Sequence, residues 1–408
     1  MLAPKYKSLF SLIAVICLLP RSGDAQQDSS PAAIARTLQQ MRTLKLVDSI
    51  GYEVPTDALP LLTQVKHQLR DLFLKTLNDS GPGTTATKAK SAFLAQLGAA
   101  GIAVPGDSRE DEVYGHIWSI NVEQRFGHPD LLIFSPELSI ACGNDSPLYV
   151  FQKNGGQWRL LIAVESNGYT QVKDALGGLQ YELSPPDKQR HWFLVYAHYF
   201  PWCTSFWNAV SYVVLRPGAG PYSPVKVYAD ERTWYMGTDY PISLNTRADG
   251  FRIDFVGSYN ICSALLSRFR TLNFKVQGGQ VTRISPMAHS PGGFLDEWLE
   301  MKWAEAARRS VHADQNMRAW HEKLSHRELI ADIDTVQACV PGKTWQIELT
   351  IGDEQQAFAT VTRTRSGYVM NSISSARSAG CRGAKRYPAT EPPPRSLKAL
   401  KTVVGQFR

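Results

Sequence analysis

Two periodicities divide the chain. Between residues 30 and 104 apolar side chains recur every three or four positions, which predicts amphipathic helices. Ile34, Leu38 and Met41 form one stripe, Leu62, Val65, Leu69, Leu72 and Phe73 a second, and Phe93, Leu94 and Leu97 a third. Ser30 before Pro31 supplies an N-cap and a first-turn residue, and the run NDSGPG stops the second helix. These stripes are expected to pack as a helical cap on the rest of the chain.

From about residue 112 the period falls to two and aromatic residues become dense. LLIFSPELSIAC (131–142), WFLVYAHYFPWC (192–203) and FRIDFVGSYNIC (251–262) each read as an apolar strand ending at a Cys. A second strand follows each of them (LYVFQ, SYVVLRP, LNFKVQ), and a third follows that (QWRLLIAV, SPVKVYAD, QVTRIS). The turns NGGQWR and QGGQVTR are almost the same text. Such self-similarity predicts a mostly β chain of repeated antiparallel units, propeller-like or stacked as small sheets. Residues 294–310 predict one amphipathic helix with Phe294, Leu295, Trp298, Leu299 and Ala306 on a face, a second helix follows at 314–326, and 357–374 repeats the strand, Gly turn, strand grammar. The resulting organisation is a leader at 1–25, a helical segment at 26–110, a repeated β domain at 111–290, helix plus strands at 291–376 and a basic tail at 377–408.

Charge and compartment refine this picture. Lys5 and Lys7, the run LFSLIAVICLLP and the small residues Gly23 and Ala25 read as a signal peptide cleaved near Ala25, predicting a secreted or periplasmic protein. No segment is long and apolar enough for a transmembrane helix. The formal charge is +7, but residues 377–408 hold eight Lys or Arg against Glu391 alone. The body is close to neutral, so no nucleic-acid partner is expected. Five cysteines follow the leader: Cys142, Cys203, Cys262, Cys339 and Cys381. Cys339 and Cys381 bracket the last strands and are expected to form a disulfide, whereas at least two of the repeat cysteines are expected to be free and buried.

Candidate chemistry is sparse. GNDS (143–146) offers too few oxygens for calcium and reads as a turn. In WHEKLSH, His321 and His326 are five residues apart, about 140 degrees around a helix, so they cannot share a zinc and read as a solvated face. Cys203 and His198 lie on opposite faces of a continuous strand. The segment RFGHPDLLIF (125–134) resembles the strand entry of FG-GAP-type β-propeller blades, which implies a blade architecture and an adhesive role. That family's calcium ligands come from an Asp-rich loop before the strand; VEQRFGH contains no Asp, and neither a metal nor any other cofactor is expected.

What stands out is aromatic content in a segment where Pro201 breaks the alternation. Tyr199, Trp202, Trp207 and Trp234 offer flat apolar faces, and repeated β-units build broad surfaces. The expectation is an exported, non-enzymatic recognition or scaffold protein with a glycan or protein partner. The rival is a secreted glycan-acting hydrolase using a carboxylate pair drawn from Glu165, Asp230, Glu231 and Asp254.

Overall fold

The computed structural model describes residues 28–44, 54–81, 83–106, 113–141, 143–169, 174–200, 207–218, 224–230, 234–237, 242–258, 268–284, 288, 290–325, 330–352, 355–365, 367–381 and 386–388. The leader, most of the basic tail, Cys142, Cys203, Cys262, Trp202, Glu231 and His326 lie outside them. The expectations placed on those residues therefore have no structural counterpart.

Three helices open the fold: α1 (Pro31–Arg42), α2 (Ala58–Asp79) and α3 (Ala86–Ala99). Ser30 Oγ caps α1 by accepting from the Ala33 amide at 3.2 Å. Every residue of the first two predicted stripes is buried, as are Phe93 and Leu97 of the third.

Four antiparallel meanders follow. Sheet I runs β1 (Ile117–Glu123), β2 (Leu131–Ile140), β4 (Leu148–Asn154), β5 (Gln157–Val164), with the short β3 (Gly143–Asp145) paired to β2. Sheet II is β6 (Leu179–Leu183), β7 (Leu194–Phe200), β8 (Trp207–Arg216) and β9 (Val225–Ala229). Sheet III is β11 (Ser243–Arg247), β12 (Gly250–Ser258), β13 (Arg268–Gln277) and β14 (Gln280–Arg283), and β10 (Trp234–Gly237) joins it to sheet II by pairing with both β8 and β12. Each predicted Cys-terminated segment forms the second strand of its meander. The two near-identical turns are two-residue hairpins, closed by Asn154 opposite Gln157 and by Gln277 opposite Gln280. Both glycines of each turn have positive φ (58° and 88°, 57° and 82°), the backbone a type I′ turn demands.

The meanders stack in a row. Leu132, Phe134, Tyr149 and Phe151 meet the helices on one side of sheet I. Its other side, with Leu131, Ile133, Leu148 and Val150, packs on Leu194, Val213 and Leu215 of sheet II. The opposite side of sheet II, with Val195, Val210 and Tyr212, packs on Phe251, Ile253, Leu272 and Phe274 of sheet III. Burial on both faces explains why β2 and β4 each open on a continuous apolar run, LLIF and LYVF. With one face of sheet I under helices and the other under sheet II, the row formed by the described residues does not close into a propeller ring.

The C-terminal unit hangs from sheet III through α4 (Pro291–Glu300). Arg270 of β13 reaches Asp296 at 2.8 Å and Arg283 of β14 reaches Glu297 at 2.5 Å. The single helix expected over 294–310 is broken: backbone at Met301 (ψ 148°) is extended and α5 (Trp303–Arg308) starts anew. The break folds α5 back so that Trp298 Nε1 donates to Ala306 O and Ser310 Oγ, both at 3.1 Å. The five apolar residues of the predicted face are nonetheless all buried. After α6 (Gln315–Ser325) comes sheet IV, the order β18 (Gly367–Ser374), β17 (Gln355–Thr364), β16 (Thr344–Ile351), β15 (Ile330–Val340), β19 (Arg386–Pro388). The Cys339–Cys381 disulfide forms as expected, with Cα atoms 4.4 Å apart. Closing a loop of this size contributes about 3 to 4 kcal/mol on the chain-entropy account. Among the described residues no helix is long and apolar enough to cross a membrane.

Candidate functional site

Three of the four aromatic positions come together on neighbouring strands. Val210 of β8 lies opposite Tyr199 of β7 on one side and opposite Trp234 of β10 on the other, and Trp207 pairs with Gly237. Positions 199 and 234 thus share the strand parity of Val210, which belongs to the core between sheets II and III. Trp207 has the other parity. All three stand at the end of sheet II where β7 leads into residues 201–206.

The described candidate carboxylates are scattered over three sheets, each with its own partners. Asp254 in sheet III accepts from Arg252 Nε at 2.7 and 2.9 Å and from Thr271 Oγ1 at 2.6 Å. Asp230 follows sheet II beside Tyr212, whose hydroxyl is pushed up by burial first and by that charge second. Glu165 ends sheet I. A bulge opposite Val150 and Phe151 inserts Leu161 into β5, so Trp158 and Leu160 face the helices whereas Ile162 and Val164 face sheet II. That inversion turns Glu165 towards α2, where it meets His67 Nε2 at 3.1 Å, Tyr149 Oη at 2.8 Å and Arg70 Nη1 at 3.6 Å. Burial alone would raise the Glu165 carboxyl; the His67 and Tyr149 hydrogen bonds and the Lys66 charge outweigh it and lower it instead.

Next to Glu165 lies a wholly buried ion pair. Lys66 Nζ stands 3.0 Å from Asp145 Oδ2, with side chains 1% and 0% exposed. Lys66 also donates to Ser166 O at 3.3 Å and Tyr169 Oη at 3.4 Å, while Asp145 accepts from Ser166 Oγ at 2.6 Å and from the Tyr169 hydroxyl. Every strong donor and acceptor of the cluster is committed, so it works as a brace between α2 and sheet I. This corrects the reading of GNDS: the segment is strand β3, not a turn, and its Asp is a buried counter-ion. His321 needs correcting too. It is buried rather than solvated, 4.7 Å from the Trp298 ring edge-to-face, with Nε2 at 3.1 Å from Trp298 O. His198 is also interior: Nδ1 meets Ala175 O at 2.8 Å and burial lowers it to about 4. Among the described residues no group of three or more His, Cys, Asp or Glu is placed to hold a metal ion.

A cavity of about 410 Å³ opens at the seam between sheets I and II, at the end of sheet II away from the aromatic positions. Gln152 and Leu161 line it from sheet I, Arg190, His191 and Trp192 from the segment before β7, and Arg216 and Pro217 from the end of β8. No sequence motif marks it, because its residues come from four separate segments. Matching against protein-family models, curated proteins and solved structures finds nothing similar to this chain.

Proposed function

We propose that the chain is an exported, non-enzymatic recognition or scaffold protein, a row of β-meanders that presents aromatic side chains to a glycan or protein partner. The observation that carries this reading is the convergence of positions 199, 207 and 234 on three hydrogen-bonded neighbours, β7, β8 and β10, at one end of sheet II. Alternation sets Trp207 on the parity of Val213 and Leu215, opposite to that of Tyr199 and Trp234. In this proposal Trp202 and Trp207 are the pair that meets the partner. The scatter of Glu165, Asp230 and Asp254 over three sheets supports binding over hydrolysis, which needs two carboxyl groups about 5 to 10 Å apart across one cleft. The leader read at 1–25 and the Cys339–Cys381 disulfide suit an oxidising compartment outside the cytoplasm.

A glycan array probed with the mature chain and with a Trp202→Ala, Trp207→Ala double variant tests the proposal. Retained affinity comes from ring stacking, so the variant should bind about tenfold more weakly or not at all while melting normally. Unchanged binding by a well-folded double variant would remove these two rings from the site.

A further inference from the structure

The seam between sheet III and the C-terminal unit is ionic where the rest of the row is apolar. Among the described residues, the hydrophobic core of sheet III and that of the C-terminal unit are separate clusters, and neither takes a residue from the other. Helix α4 accounts for this by its two faces. Phe294, Leu295, Trp298 and Leu299 pack with sheet IV, whereas Asp296 and Glu297 meet Arg270 of β13 and Arg283 of β14. Glu300, at helical spacing from both acids, adds its charge beside Glu297.

The charges at this seam do not balance. Arg270, Asp296 and Glu297 are all buried, and Arg283 nearly so. Three carboxylates against two guanidinium groups leave one negative charge in excess when all are ionised. Behind Arg283 stand Tyr212 and Asp230, a phenol that burial keeps neutral and a fourth acid, which deepen the excess. His321 of α6 lies on the Trp298 ring, inside the C-terminal unit, and moves with it. Glu297 Oε2 is buried with no hydrogen-bond partner among the described residues. A buried carboxylate compensated on one oxygen only favours either a proton or a return to water.

We propose that this seam is a proton-operated latch: with a proton on Glu297 the charges balance and the C-terminal unit stays docked on sheet III, and loss of that proton releases it as a folded body at the end of the row. The core of α4 to α6 over sheet IV and the Cys339–Cys381 disulfide hold the released unit together. Burial, opposed by Arg283 and assisted by Glu300, sets Glu297 at about 7 when docked, against an ordinary 4.5 in water. Docked chains keep a proton that undocked chains give up, so docking weakens as pH rises from 4.5 through about 7, by up to about 300-fold. The latch is separate from the aromatic end of sheet II, and its test does not depend on that reading.

Small-angle X-ray scattering of the mature chain at pH 5 and pH 8, with far-UV circular dichroism of the same samples, tests this. At pH 8 the radius of gyration and the maximum dimension should rise while the dichroism stays the same. Glu297→Gln has no carboxyl to titrate and should keep its pH 5 dimensions at pH 8. Glu300→Gln leaves two carboxylates for two arginines and should also stay compact, which keeps the test decisive if the first variant fails to fold. The proposal is overturned if the parent has the same dimensions at both pH values, if its dichroism is lost together with its compactness, or if either folded variant expands as the parent does.

Discussion

A single basic residue changes what α2 does. Lys66 shares a helix face with Leu62, Val65 and Leu69, and their spacing carries no sign of a buried charge. Its partner Asp145 reads as a turn residue, and nothing local couples the two. Only the packing of α2 on sheet I brings them to 3.0 Å, inside a shell that Ser166 and Tyr169 complete. Such pairs are weak evidence of net stability, since desolvating two charges offsets most of their attraction, but cutting one half strands the other. Lys66→Met should therefore cost about 3 to 5 kcal/mol in urea unfolding. The Lys66→Met, Asp145→Leu double variant should cost clearly less. If the single change is as mild as the double, Asp145 is not a stranded charge and the brace is misassigned. The legible residues at this scale are those whose partners are sequence neighbours: the Ser30 cap, the Gly155–Gly156 and Gly278–Gly279 turns, and the alternating core positions of the hairpins.

Elements were legible where one periodicity governs a whole segment, and less so where tertiary contacts interrupt it. The apolar face from Phe294 to Ala306 continues straight through Met301, so nothing in its spacing marks the break; the indole N–H of Trp298, satisfied by Ala306 O and Ser310 Oγ, is what the fold gains by it. The bulge at Leu161 is equally invisible, because the residues on either side are all apolar and either parity can be buried. Helix α4 also carries a pH-sensitive contact. Burial, opposed by Arg283 and assisted by Glu300 and Asp296, raises Glu297 to about 7 from an ordinary 4.5. Between those values the folded state holds a proton that the unfolded chain has released, so this group's contribution to stability is lost as pH rises from 4.5 through about 7. His198, lowered to about 4, acts in the opposite sense below 6.5, because there the unfolded chain holds the extra proton. The useful measurement is therefore a difference. Relative to the parent, Glu297→Gln should gain up to about 3 kcal/mol between pH 4.5 and 8 in urea midpoints. A pH-independent difference would sink the assignment.

At the scale of the molecule, the number and size of the meanders can be read from the sequence, but not their arrangement. Alternation says which residues of a strand share a face and is silent on which sheet that face meets, so a ring and a row have the same sequence pattern; the helices over sheet I make the difference. The ends of the row differ. At one end Phe134, Tyr149, Phe151 and Trp158 need α1 to α3 above them. At the other, the outward side of sheet III carries the exposed Arg252 and Lys275, beside Asp254 and Thr271, which are buried and hydrogen-bonded to each other. Deleting residues 26–105 should consequently expose an apolar sheet face and drive self-association, seen as dimers or larger species in size-exclusion chromatography with light scattering. A monomeric, soluble truncation would show that the helices are not what protects sheet I. A ring fixes its membership by geometry, since every blade must close a full circle. A row with helices over one end and charged side chains at the other is limited only by its stops, so a lineage of such chains could gain or lose an internal meander while both ends stayed the same.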